Sequence, residues 1–318
     1  MDIDSKLSYS IIICTKDRPD DMVKCLDSII KQTLIPKEVI VVDSSEDNRV
    51  ELVVLDDKID SLNIIYIHSS PGLTKQRNIG VKKSTGDILF FLDDDIVLEP
   101  DFSKIIMSDF LKDHENNIGG IQGIDLNIKI IEKVNYKHLL YYRLFLLDRS
   151  DIHGKLLPSG NVSHLNEGIK DIRFSKINKK TNVLCGGYVG YRRKIFEHLS
   201  FDENYIGYSH GEDVDFSHRV SKQYELYLNP NAKVYHNQDT DKFNWYKSEE
   251  YIRSNLKASL YLFRKHKMRN PLNYCALFWS WFGWLFWISN IQRNKSKFRW
   301  CLNAINSLKW DIFRRIDN

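Results

Sequence analysis

Along the first hundred positions, apolar residues come in short runs separated by polar, turn-forming stretches. "YSIIICT" (9–15) is continuously apolar and β-branched, the pattern of a strand buried on both faces. In "RPDDMVKCLDSIIKQ" the apolar positions Met22, Cys25, Leu26, Ile29 and Ile30 instead recur at helical spacing behind Pro19, which suits a first helical turn. "KEVIVVDSS" (37–45) predicts a second strand ending at Asp43, "NIIYIH" (63–68) a third and "DILFFLD" a fourth. Between the last two, "SSPGLTKQRNIGVKKSTG" reads as a Gly-containing loop and then a helix. Strands alternating with helical stretches every thirty residues or so predict an α/β fold, a mostly parallel sheet flanked by helices. Ligands of such sheets sit beyond the carboxyl ends of the strands. That rule makes neighbours of Thr15 to Arg18, Asp43 and Asp93 to Asp95.

From 101 to about 240 the pattern is less regular. "VNYKHLLYYRLFLLDR" is helical, and a polar loop covers 151–181. "NVLCGGYVGYRRKIFEHL" carries a Gly pair after a strand, "GEDVDFSHRV" opens a helix, and "YELYLNPNAKVYH" predicts two short strands ending at His236. Beyond 243 the chain reads as helical to its end. The expected organisation is one α/β domain over 1–242 and a helical tail over 243–318.

Composition narrows the class. With 318 residues, 42% of them hydrophobic, the chain can bury a sizeable core. A formal charge of +4, with acids and bases interspersed through most of the chain, does not point to nucleic acid. The five cysteines, 14, 25, 185, 275 and 301, form no CxxC pair, which argues against a disulfide framework or zinc site and for a reducing compartment. The start "MDIDSKLSYS" is polar and acidic, without the basic-then-apolar pattern of a secretory signal, so the main domain is expected in the cytosol.

The tail changes this picture. "PLNYCALFWSWFGWLFWISNIQRNKSKFRW" (271–300) crowds Trp279, Trp281, Trp284 and Trp287 between basic flanks. About twenty uncharged residues in a row just suffice to span a bilayer. Tryptophan prefers the headgroup boundary, however, and positive charge at both ends gives a single span no orientation. A helix lying in the membrane interface is the favoured reading over a true span. A buried core helix or an oligomer contact is the other alternative.

In "DILFFLDDDIVLEP" an apolar run breaks into three consecutive carboxylates, Asp93, Asp94 and Asp95. So close together they repel one another, and burying them is costly without compensation. A solvated acidic turn, a phosphoryl-accepting pocket and a divalent-cation site on a nucleotide diphosphate all fit this stretch taken alone. Magnesium and manganese favour carboxylates combined with substrate phosphates.

Four blocks, taken in order, decide between them: "YSIIICTKDRPDDMVKCLDSIIKQTLIPKEVIVVDSS", "GLTKQRNIGVKKSTGDILFFLDDDIVLEPDF", "CGGYVGYRRKIFEHLSFDENY" and "GEDVDFSHRV". Over residues 8–240 the chain resembles the family-2 glycosyltransferases of GT-A fold. The resemblance implies transfer of a sugar from a nucleotide diphosphate sugar donor, usually with inversion, and a divalent cation, Mn2+ or Mg2+, as cofactor. It divides the domain into a nucleotide-binding half (1–100) and an acceptor-binding half (101–242). It identifies the acidic turn as the DxD motif, with Asp95 a direct metal ligand and Asp93 near the ribose or metal. Three acids in a row leave the register open at Asp94, on the nucleotide side.

By the same resemblance Thr15 and Arg18 contact the nucleotide, Asp43 the base, and Arg77 and Asn78 line the nucleotide and phosphates. His236 is a further metal ligand. Gly186 and Gly187 form the acceptor side, where missing bulk admits a sugar ring. Asp213 is the base that takes the acceptor's proton, with Glu212 in reserve; as plain residues, both could equally be acids at a helix N-terminus. The chain departs from the commonest family pattern at "YIGYSHGED", which has no Trp before the acidic pair and leaves acceptor stacking to Tyr205 or Tyr208.

The expectation is an inverting transferase on the cytoplasmic face of a membrane. Its tail (271–318) rests on the lipid surface, its acceptor is a glycan or lipid-linked glycan of surface polysaccharide or glycolipid assembly, and homo-oligomers are left open. Two rivals stand beside it. One is a non-catalytic relative that binds a nucleotide sugar at the membrane. The other is a sugar nucleotidyltransferase, disfavoured because the loop after the first strand reads "TKDRPDD" where a glycine-rich phosphate loop is needed.

Overall fold

The computed structural model describes residues 7–56, 59, 61–127, 136–148, 154–163, 178–205, 211–237, 248–268, 270–291 and 294–308. Its strands are β1 (Tyr9–Thr15), β2 (Glu38–Asp43), β3 (Ile64–His68), β4 (Ile88–Asp93), β5 (Ile96–Leu98), β6 (Ile118–Asp125), β7 (Lys179–Thr181), β8 (Tyr188–Arg192) and β9 (Glu225–His236). Its α-helices are α1 (Pro19–Ile30), α2 (Arg49–Val54), α3 (Leu73–Lys83), α4 (Phe102–Lys112), α5 (Tyr136–Leu144), α6 (Glu212–Val220), α7 (Glu249–His266), α8 (Pro271–Phe286) and α9 (Lys295–Leu308).

The four apolar runs become β1 to β4, which pair in parallel in the order β3-β2-β1-β4. The sheet then continues through β8, β6, β9 and β5, with β7 paired to β9. β8 runs antiparallel to both neighbours, and β6 and β9 are parallel. Register levels the strand ends, with Thr15 beside Asp43 and Cys14 beside Asp93.

Alternation along each strand divides the core. Ile11, Ile13 and Phe90 face one way, packed with Met22, Cys25, Leu26 and Ile29 of α1 and with Phe102, Ile106 and Phe110 of α4. Phe91 faces the other way, 5.1 Å between ring centroids from Phe201, which stacks on Phe216 of α6 at 4.3 Å. Such ring pairs add about 0.5–1.5 kcal/mol each beyond area burial. They fasten α6 to the sheet and so fix where its first turn lies.

Two details differ from the sequence pattern. Gly186 and Gly187 lie just before β8 instead of after a strand. "YELYLNPNAKVYH" is one strand, not two: Leu228 pairs with Gln122 and Lys233 with Ile124, so four residues of β9 stand opposite Gly123 alone. Pro230 has no N–H for the ladder, and Asn231 donates its N–H to the Asn229 side chain at 2.8 Å. The bulge reads in sequence as a break.

The chain forms two compact units, Met1–Lys129 with Asp171–Asn237 and Ile130–Lys170 with Gln238–Asn318. The first contains the sheet. The second groups α5 with the tail helices α7, α8 and α9, so residues 130–170 belong with the tail rather than with the rest of 1–242. Its core includes Leu260, Phe263, Leu277, Trp281 and Leu308. Among the described residues no helix is long and apolar enough to cross a membrane.

Candidate active site

The level strand ends of the first unit gather acids and bases. Asp94, between β4 and β5, turns back toward β1: its Oδ2 accepts from Thr15 Oγ1 at 2.8 Å and its Oδ1 from Arg18 Nη1 at 2.9 Å. Burial pushes its carboxyl up to about 6, against the pull of Arg18 and Thr15 and with the Asp95 charge adding to the rise. Asp95 shares the same Arg18 nitrogen at 3.2 Å, and its other oxygen lies 3.1 Å from His236 Nε2.

His236 reaches that point because β5 returns antiparallel along β9, with Ile96 beside it. Burial lowers the His236 pKa, but the hydrogen bond and charge of Asp95 outweigh it and the net shift is upward. Asp93, Asp95 and His236 present ligand atoms within 4.8 Å of one another. Two unit negative charges at that separation repel by roughly 3–4 kcal/mol at an effective dielectric of about 20, which a cation between them would relieve.

Arg77, on α3, joins this cluster to α6. It is almost wholly buried, its Nη1 donates to Glu212 Oε1, and its Nη2 lies 3.4 Å from Asp93 Oδ1 and 3.2 Å from the Gly186 carbonyl. The guanidinium also sits 5.4 Å over the Phe201 ring. Burial disfavours its charge, but Glu212 and Asp93 more than restore it and its pKa rises. Glu212 is buried as well; desolvation and the Asp213 charge hold its carboxyl well above the usual range, and Arg77 opposes that rise only in part. We read the direct contact as an ion pair. The second carboxylate oxygen of Glu212 has no hydrogen-bond partner among the described residues.

Asp213 is only half-buried, and its Oδ2 accepts from the Gly186 N–H at 3.2 Å. The Gly pair admits no side chain: a Cβ on Gly186 would stand 2.6 Å from Arg77 Nη1, and one on Gly187 2.5 Å from Asp93 Oδ2. Gly186 and Gly187 therefore pack against the acidic cluster itself.

The remaining sequence candidates divide. Asp43 is fully buried at the end of β2, its Oδ1 accepting from Ser45 N and Oγ at 2.8 and 2.6 Å and its Oδ2 from the Tyr66 hydroxyl at 2.9 Å. Asn78 faces away from the cluster, its amide nitrogen donating to Phe201 O at 3.0 Å and Glu203 Oε1 at 2.9 Å and its oxygen accepting from Phe201 N at 3.0 Å. Tyr205 is buried and offers no open ring face, and Tyr208 lies outside the described residues.

Sequence reasoning missed several positioning groups. Gln76 donates to Thr15 O at 3.1 Å and Val42 O at 2.8 Å, tying the ends of β1 and β2 together. Ser45, Tyr66, Phe201 and Glu203 hold Asp43, Arg77 and Asn78. Gln76, Ser45, Phe201 and Glu203 sit within the quoted blocks and Tyr66 within the third strand, but their partners are distant in sequence or set by backbone turns, which no local pattern marks.

The glycosyl transferase family 2 profile matches residues 10–200. An uncharacterized glycosyltransferase, YwdF, of Bacillus subtilis (strain 168) is 32% identical over 94 residues, covering 30% of this chain and 35% of that protein. The glucosyl-dolichyl phosphate glucuronosyltransferase of Haloferax volcanii is 28% identical over 117 residues, 35% of each chain. The likeness thus spans about a third of these relatives' length. The mannosyltransferase PcManGT from Pyrobaculum calidifontis, solved with GDP-Man and Mn2+, shares the fold with a TM-score of 0.55 at 15% identity, covering 97% of this chain and 77% of that one. With its parallel sheet, acidic strand ends and a profile match over more than half its length, this chain belongs to glycosyl transferase family 2 and has the GT-A fold.

Proposed function

We propose that this protein is an inverting, divalent-cation-dependent glycosyltransferase that moves a sugar from a nucleotide diphosphate sugar to a hydroxyl of a glycan or lipid-linked acceptor. One observation carries the reading. Asp93, Asp95 and His236 converge, Arg77 links Asp93 to Glu212, and the next residue, Asp213, is held at the Gly186 N–H.

The donor set fits Mn2+ or Mg2+: two carboxylates and an imidazole are suitable ligands, and three protein donors leave coordination positions for phosphate oxygens. A cation held there would neutralise charge on the departing diphosphate. Asp94 is not counted as a ligand, because both its oxygens are engaged by Thr15 and Arg18. Arg77 holds Asp93 and Glu212 at fixed positions and carries positive charge beside the leaving group. Asp43, held by Ser45 and Tyr66, closes the nucleotide side.

Asp213 is the base. It is more open than Glu212, it is oriented by the Gly186 N–H, and Glu212 is already engaged by Arg77. As the acceptor oxygen attacks the anomeric carbon, Asp213 takes its proton. A single displacement assisted by one base inverts the configuration. The dolichyl phosphate in the Haloferax relative's name supports a lipid-linked acceptor.

The test is a screen of nucleotide sugars for nucleoside diphosphate release with Mn2+ or Mg2+, followed by NMR of the product's anomeric configuration. Release from at least one donor, lost with chelator and in Asp95→Asn, is the expected result. Full activity in chelator overturns the metal role. Retained configuration overturns inversion, and binding without turnover by any donor or acceptor supports the non-catalytic reading.

A further inference from the structure

The second unit carries apolar surface that its own core does not use. α8 buries Leu277, Ser280 and Trp281 on one side. Cys275, Phe278, Trp279, Phe282 and Phe286 recur at three- and four-residue steps along the other side and are exposed, Phe282 by 53%. This second face is covered only in part by the rest of the unit, so apolar surface is left over for something else.

α5 extends that stripe. Tyr141 donates its hydroxyl to the Gly283 carbonyl at 2.5 Å, Trp279 Nε1 donates to the Leu144 carbonyl at 2.7 Å, and Phe145 stacks on Trp279 with ring centroids 4.9 Å apart. The fit depends on Gly283, because a Cβ there would run into the Phe145 ring. With α5 fastened in this way, Lys137, Leu140 and Leu144 lie on one exposed side of it, Leu140 at 70% and Leu144 at 60% exposure.

Charge selects the occupant. Residues 251–310 hold eleven Lys and Arg and no Asp or Glu, while the whole chain is only +4. On α9, Lys295 and Arg299 are exposed one turn apart. A two-fold pairing of this unit with a second copy brings like charges together, whereas an anionic lipid surface attracts them. α8 runs on into a π-helical turn, Trp287–Ile291. Among the described residues no helix is long and apolar enough to cross a membrane, and Trp279, Trp281, Trp284 and Trp287 along this stretch suit the headgroup interface.

We propose that α5 and α8 together form one docking face for an anionic membrane surface, with the exposed Trp and Phe rings entering the headgroup boundary and the basic residues of the unit beside acidic lipid. The proposal rests on this surface alone and not on the transfer chemistry.

The experiment is flotation of the full chain with vesicles of phosphatidylglycerol and phosphatidylcholine in equal parts, against vesicles of phosphatidylcholine alone. All seven tryptophans lie at or beyond residue 245, so a blue shift of their emission reports burial of this unit. Wild type is expected to float with the mixed vesicles, shift to the blue, and be released by high salt. Phe278→Ser with Phe282→Ser, and separately Leu140→Ser with Leu144→Ser, should each weaken binding by roughly tenfold or more, with circular dichroism unchanged. Wild type that stays unbound overturns the proposal, as does a concentration-dependent dimer that the same substitutions abolish. An α5 variant that binds as wild type removes α5 from the face and overturns the composite surface.

Discussion

Replacing Arg77 by Met removes the cation of a buried ion pair and keeps much of its apolar stem. Glu212 is then left buried beside Asp213 with the group that pulled its carboxyl down removed. A buried carboxylate in that position escapes by taking a proton. Relative to the ordinary value of 4.5, holding that proton costs about 1.4 kcal/mol per pH unit, or about 4 kcal/mol at pH 7.5 and about 1.4 at pH 5.5. The estimate at the higher pH agrees with the ~3–5 kcal/mol typical of breaking a buried pair from one side.

The sign follows from linkage. In the variant the folded carboxyl titrates above the unfolded one, so the folded state binds more protons. Stability is greatest below pH 4.5 and falls as pH rises toward the folded value. The excess destabilisation of Arg77→Met over wild type should therefore shrink by about 2–3 kcal/mol between pH 7.5 and 5.5, and adding Glu212→Gln should remove that pH-dependent part.

Because every tryptophan lies in the other unit, urea unfolding is best followed by hydrogen exchange of the β1 and β4 peptides. A destabilisation that is the same at both pH values would mean Glu212 is already neutral in the wild type, and the ion-pair reading would be wrong. Failure of Glu212→Gln to restore stability would reduce Arg77 to a packing group over Phe201.

Other substitutions separate the carboxylates by task. Asp213→Asn should lower kcat by roughly 10²–10⁴-fold and leave the donor Kd from calorimetry unchanged; a weakened donor Kd would move Asp213 to the donor side. Asp95→Asn should abolish Mn2+ binding measured by calorimetry while Asp94→Asn retains it, since Asp94 is turned toward Thr15 and Arg18; equal loss in both would end that distinction. Gly187→Ala puts a Cβ 2.5 Å from Asp93 Oδ2 and should lower Mn2+ affinity with helix content unchanged; unaltered affinity would take Asp93 out of the ligand set.

What was legible in the chain follows from locality. β1, β2 and β4 are short apolar runs buried on both faces, with β3 half-buried at the sheet edge, and that demand is written in consecutive residues. Asp43 and Asp93 were legible as strand ends for the same reason. The half beyond β4 is assembled from distant partners. β8 is only five residues long and inserts between β4 and β6, and the bulge of β9 hides one strand behind Pro230. The grouping of 130–170 with the tail turns on contacts such as Tyr141 with Gly283, 142 residues apart, which no local pattern encodes.

The ambiguity between Glu212 and Asp213 is of another kind, because the information was present. Successive residues of a helix point about 100° apart, so the first turn of α6 can direct only one of the two toward the sheet. Which one depends on the phase of the helix, and the phase is set by its apolar side. Phe216 follows Glu212 by four residues and therefore shares its face. Phe216 is wholly buried between Phe196 and Phe201. Glu212 is thereby carried inward to Arg77, and Asp213, one position on, emerges at the Gly186 N–H. Moving the aromatic residue to position 217 would turn Asp213 inward instead. The apolar phase of a nine-residue helix, rather than the two acids themselves, decides which carboxylate remains open to an acceptor.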